Sequence, residues 1–147
     1  MKTFALIAAL ILLQIATACA QAGSTAALDS VAKPASDVLV WLDAMRARGV
    51  RVELVGEVEQ PFLSVTGSMV QVNGEDVQVF AYPGAAEMET QAARISPDGG
   101  TVGTSKIHWI GTPHFFKQGK LLVLYVGENS GVLRILEGIL GRQFAGK

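Results

Sequence analysis

The chain has 147 residues, half of them hydrophobic, with 12 basic against 13 acidic side chains and a formal net charge of −1. That length suits one domain with a core that needs no staples, and a single cysteine excludes an intrachain disulfide framework. Without a basic stripe there is no nucleic-acid footprint, so no nucleic-acid partner is expected.

At the N-terminus Lys2 supplies a positive charge, Phe4 to Ile15 is apolar apart from Gln14, and Ala16, Thr17 and Ala18 lead to Cys19. Residues 1–18 read as a signal peptide, too short to remain as a bilayer-spanning helix. Ala16-Thr17-Ala18-Cys19 resembles a bacterial lipobox, in which the cysteine thiol takes a diacylglyceryl group and becomes the mature terminus. The departure is Ala16, where leucine is the commonest residue. Ala18-Cys19-Ala20 is also an A-x-A pattern, and cleavage there would release a secreted or periplasmic soluble chain from Gln21. Lipidation of Cys19 is preferred because a lone cysteine has no disulfide partner. The expectation is an exported protein, anchored to the membrane at the bacterial cell envelope. Residues 20–35 are rich in Ala, Ser, Thr and Gly, so 19–35 reads as a lipidated cysteine and flexible tether before a domain at 36–147.

Ser36 reads as the N-cap of a first helix, with Asp37 in its first turn and Val38, Leu42 and Met45 on one face, ending at Gly49. Val50, Val52 and Leu54 then alternate with charges as a half-buried strand. A second strand starts near Phe62, breaks at Gly67-Ser68, and leads into a hairpin over Met69 to Tyr82 turned by Asn73-Gly74. Ala85 to Ile95 has a thin helical face, and Ser96-Pro97-Asp98-Gly99 is a turn.

Lys106 to Ile110 and His114 to Lys117 read as strands either side of Gly111-Thr112-Pro113. Leu121 to Val126 is apolar without alternation, the pattern of a central strand covered on both faces. Asn129 or Ser130 caps a last helix whose stripe includes Val132, Leu136 and Leu140. This order predicts one α+β domain: a mainly antiparallel sheet of about five or six strands with helices packed on it.

The stretches Ile95 to Gly99, Gly103-Thr104, Trp109, Pro113 to Lys117, Gly119 to Leu121, Leu124 to Gly127 and Leu140 to Gly146 resemble an uncharacterised group of small bacterial envelope proteins. The resemblance spans most of the domain and implies an exported bacterial protein. It brings no activity and no catalytic residue.

The standard chemistries lack their residues. A metal site would draw on His108 and His114, which a bend at Gly111-Thr112-Pro113 could bring together with a carboxylate such as Glu128, and an envelope enzyme would use the same pair. A lone histidine on a strand is more simply structural, so neither metal nor cofactor is assigned. Ser68 lacks the second glycine of a nucleophile elbow. Glu57 and Glu59 share a face of an extended segment as a glycosidase pair would, but solvated strand carboxylates explain them as well. The glycines of 98–104 lack a P-loop lysine.

The most suggestive stretch is His108, Trp109, His114, Phe115, Phe116 and Lys117. Alternation places the two phenylalanines on opposite faces, so one of them exposed beside lysines would form a surface for an envelope protein, a glycan or a lipid headgroup. The same residues would be buried by a second covering layer or a homodimer interface. A binding or scaffold domain without catalysis is the leading expectation, with a self-associating structural protein beside it.

Overall fold

The computed structural model describes residues 25–147, with side chains from Ser36 onward. The expected signal peptide and Cys19 lie outside the described residues. The first helix, α1, runs Thr25–Ala47, so it begins well ahead of Ser36, which is an interior residue and not its N-cap. Most of the segment expected to be a tether is therefore helix. Its alanines are the strongest helix formers, and Pro34 removes only one N–H from a long ladder.

Beyond Gly49, whose φ of 77° ends the helix, come β1 (Val52–Val58), β2 (Gly67–Val72) and β3 (Glu75–Ala81). Residues 62–66 are turn rather than strand, and Gly67 opens β2 rather than interrupting it. Asn73 at φ 52° and Gly74 at φ 91° make the predicted two-residue turn between β2 and β3. The next helix, α2, covers Ala85–Ala92 and stops short of Ile95. A small hairpin follows, β4 (Thr101–Val102) with β5 (Ser105–Lys106), so the strand expected over Lys106 to Ile110 reduces to its first residue. The chain closes with β6 (Pro113–Gln118), β7 (Leu121–Val126), α3 (Ser130–Leu140) and β8 (Ala145–Gly146). Asn129 caps α3 by accepting from the Gly131 and Val132 amides.

Six strands form one sheet in the order β1-β2-β3-β7-β6-β8, every neighbouring pair antiparallel. The domain is thus α+β, as its pattern predicts. Both faces of the sheet are covered. On one, Val38, Trp41, Leu42 and Met45 of α1 and Val132, Leu136 and Leu140 of α3 pack on Val70, Val79, Phe116 and Val123. On the other, Met88 and Ala92 of α2, with Leu63, Ile95 and Val102, pack on Phe80, Phe115, Leu122 and Leu124. Strand β7 feeds both cores from alternate residues, which is why its sequence carries no polar face. Each large side chain buried this way contributes about 1.5–3 kcal/mol relative to exposure.

The cover runs out at β1. Of the expected apolar face, Val52 is buried but Leu54 is half exposed, and a bulge between Leu54 and Gly56 leaves Val55 half exposed as well. This strand is the sheet's edge, and bulges of this kind blunt an edge against pairing with another chain.

Candidate functional site

The aromatic and basic stretch was the strongest sequence-based candidate, and the fold takes most of it inside. Phe115 and Phe116 do point to opposite faces, but each face has its own cover, and their exposures are 0% and 1%. Phe116 belongs to the core under α1 and α3, and Phe115 to the core under α2. Trp109 is half-buried, edge-on to Phe62 and Phe115, with its indole N–H donating to the Gly99 carbonyl at 2.8 Å. Lys117 pairs with Glu89 of α2 and lies 5.2 Å from the centre of the Phe144 ring. No exposed aromatic and basic patch survives there; His108 alone of the six is exposed.

His114 is buried and occupied at both ring nitrogens. Nδ1 meets the Gln143 side-chain amide at 2.8 Å, and Nε2 donates to the Gly127 carbonyl at 3.0 Å, since a carbonyl can only accept. The ring stacks on Tyr125, with centroids 6.0 Å apart. Glu128, the carboxylate expected to join the two histidines, accepts from the Thr112 hydroxyl instead. Among the described residues no three His, Cys, Asp or Glu side chains come together as a metal site. The histidine at 114 is a structural clip between β6, the end of β7 and the C-terminal segment. Glu57 is exposed on β1 and Glu59 lies on a recess formed by 59–66.

A different place gathers polar groups. The outer face of α2 and the 59–66 segment enclose an open cleft of about 420 Å³ lined by Ser64, Ala86, Glu87, Thr90, Gln91 and Arg94. Helical spacing brings Ala86, Glu87, Thr90 and Gln91 to this side of α2, Arg94 joins them from the turn just past its end, and Met88 and Ala92 turn into the core. Two of the polar groups are already used by the fold. The Thr90 hydroxyl donates to Ala86 at 2.8 Å, and the Gln91 amide donates to the Phe62 carbonyl at 3.3 Å, tying α2 to the 59–66 segment.

The remaining groups are underused. Arg94 has no ion pair among the described residues. Its guanidinium lies along Gly103, where a Cβ would stand 2.8 Å from Nη2. Gly103 also sits at φ 59°, so glycine there serves both the hairpin turn and the passage of the arginine. Glu87 folds back over Gly84 at the start of α2. Near Ser64 and Arg94 lies Tyr82, only 2% exposed, whose hydroxyl is buried with no geometrically formed hydrogen bond among the described residues. Burial pushes the phenol up to about 12, against the opposing pull of Ser64 and of the Arg94 charge.

A third recess lies between α1, the β6–β7 turn and α3, walled by Val40, Trp41 and Ile139. Asp37 and Lys120 form an ion pair at 2.5 Å on its rim, and the Trp41 indole N–H is buried without an acceptor among the described residues.

Sequence reasoning missed the α2 cleft. Its one signal was an acid and a base seven residues apart, Glu87 and Arg94, on the polar side of a weakly amphipathic helix. Tyr82, placed just before Pro83-Gly84, read only as the end of a strand. No protein family matches the chain, and neither a curated protein nor a solved structure matches it significantly.

Proposed function

We propose that the protein is an exported lipoprotein of the bacterial cell envelope, anchored through Cys19, whose α+β domain binds a partner or ligand without catalysis. The observation that carries this reading is the run from Lys2 through the apolar stretch to Ala16-Thr17-Ala18-Cys19. The domain's exposed polar recesses suit binding.

The start of α1 sharpens the proposal. Only residues 20–24 separate Cys19 from Thr25, the first described residue of α1, and five residues reach at most about 20 Å. A lipid on Cys19 would therefore hold the base of a helix close to the headgroups, with the domain at the helix's far end. No helix among the described residues is long and apolar enough to cross a membrane, so under this reading the lipid is the means of attachment.

The test is intact mass and N-terminal analysis of the chain expressed with its own leader in a bacterium, beside Cys19→Ala. A diacylglyceryl-modified Cys19 that the substitution abolishes is the expected result. A chain starting at an unmodified Gln21 would overturn the anchor and make the protein freely diffusing.

Self-association is the second reading, and the half-exposed Leu54 and Val55 on the edge strand β1 favour it. It predicts a concentration-dependent dimer by sedimentation that Leu54→Lys dissociates.

A further inference from the structure

One large apolar side chain of the domain has no cover at all. Ile110, in the 107–112 loop, is 103% exposed. Single apolar residues on a surface are ordinary, but this one is held out by its neighbours. On one side the Ile107 amide donates to the Gly100 carbonyl, and on the other the Thr112 carbonyl accepts from the Gly127 amide. Trp109, fixed by its bond to Gly99 and its ring contacts with Phe62 and Phe115, takes the inward place beside it. The loop is thus pinned on both sides of Ile110, and a contact made through that side chain would cost little ordering.

The same chain carries an apolar seat. The recess between α1, the β6–β7 turn and α3 has a volume of about 380 Å³, lined by Val40, Trp41, Ala44, Leu121 and Ile139. Val40 is 68% exposed there. Knob and seat lie at opposite ends of β7: the seat includes Leu121 at its start, and the knob loop lies against Val126 at its end through Gly111, about 17 Å along the strand. Their rims carry opposite charges. Arg48, exposed on the wall of the recess, donates to the Gly138 carbonyl at 3.1 Å and has no carboxylate partner among the described residues. Glu128, exposed beside the knob loop, accepts from the Thr112 hydroxyl at 2.9 Å.

Resting on the self-association reading above but using a different surface, we infer that copies of the domain join head to tail, with Ile110 of one copy seated in the α1–α3 recess of the next and Glu128 facing Arg48. A contact between two different patches is heterologous, so it extends into chains or closes into rings instead of stopping at a dimer. The interface is small, so the association is weak and transient.

Disulfide trapping tests this in the purified full chain carrying Cys19→Ala, oxidised with glutathione disulfide and run on a non-reducing gel. Ile110→Cys combined with Val40→Cys is expected to give a ladder of dimers, trimers and larger species, because linked Cα atoms must come within about 7 Å. Ile110→Cys combined with Leu39→Cys, a position 51% exposed on the neighbouring side of α1, should give no ladder. Arg48→Glu weakens the first ladder a few-fold, and Glu128→Arg added to it restores the yield. No ladder from the first pair, an equal ladder from the second, or no rescue by the exchanged charges would each overturn the inference, as would a ladder that Leu54→Lys abolishes. A ladder that survives Leu54→Lys, without a Leu54-dependent dimer by sedimentation, removes only the edge-strand contact; such a dimer without a ladder removes only the head-to-tail one.

Discussion

Gly67 lies flat against the ring of Phe80, and a Cβ on it would stand 2.6 Å from two of the ring carbons. Both residues are buried, and Phe80 belongs to the core under α2, so the ring has nowhere to move without disturbing that core. Gly67→Ala is expected to cost about 1–3 kcal/mol, as overpacking does. Urea unfolding followed by tryptophan fluorescence measures it, and an unchanged midpoint would mean that the ring yields freely.

His114 should behave as a clip and not as a chemical group. Its substitution by alanine leaves the Gly127 carbonyl and the Gln143 amide without their partner and opens a void against Tyr125. A loss of about 2–4 kcal/mol is expected, read as a lowered midpoint in chemical denaturation. Added zinc should leave the midpoint of the unaltered protein where it was; a rise with zinc would reinstate the histidine as a ligand.

High pH should expose the cost of burying Tyr82. Its phenol ionises near pH 10 when unfolded and about 12 in the fold, so above pH 10 the unfolded chain releases its proton first. Stability is therefore complete below pH 10 and falls as the pH rises toward 12, by on the order of 2 kcal/mol from this group. Tyr125, raised mainly by burial and further by Glu75, adds a loss of the same sign. Phenolate absorbance against pH should show late ionisation that Tyr82→Phe reduces to the Tyr125 component, with a shallower alkaline decline in stability. Ordinary phenol titration of both tyrosines would contradict this picture.

Lys117 offers the opposite test, an interaction that looks strong and is expected to matter little. Its ion pair with Glu89 and its place over Phe144 are both substantially open to solvent. Lys117→Ala should lower stability by less than about 1 kcal/mol, with a salt dependence that disappears in the variant. A larger loss would show that the pair helps hold α2 against β6.

Much of the architecture could be read from the chain because local chemistry determined it. Asn73-Gly74 accepts positive φ at both positions, so the β2–β3 turn had few alternatives. The unbroken apolar run of β7 could only suit a strand with two covered faces, and the stripe of α3 is wide enough to define a helix. What escaped depended on what lies above a surface. Alternation shows that Phe115 and Phe116 part company, but whether a face meets solvent or α2 is decided by residues such as Met88 and Ala92, far from it in the chain. The first turns of α1 escaped for another reason: the same alanines that suit a loose linker also form helix most readily, and Pro34 has the look of a helix breaker while removing only one N–H from a long helix. The cleft beside α2 required Ser64, Glu87 and Arg94 to be seen together, and no local pattern joins the first to the others.

The continuity of α1 has a mechanical consequence. Its 23 residues form a rod of about 34 Å, and its second half is keyed into the sheet by Val38, Trp41, Leu42 and Met45. A flexible leash would let the domain swivel and would absorb a tug by uncoiling. A rod passes tension and torque directly to the packed helix, where the load would be carried in shear between α1 and the sheet. Whatever grips the chain ahead of Thr25 would thus steer the whole domain, and the first element to give way under force would be the one that covers the larger core.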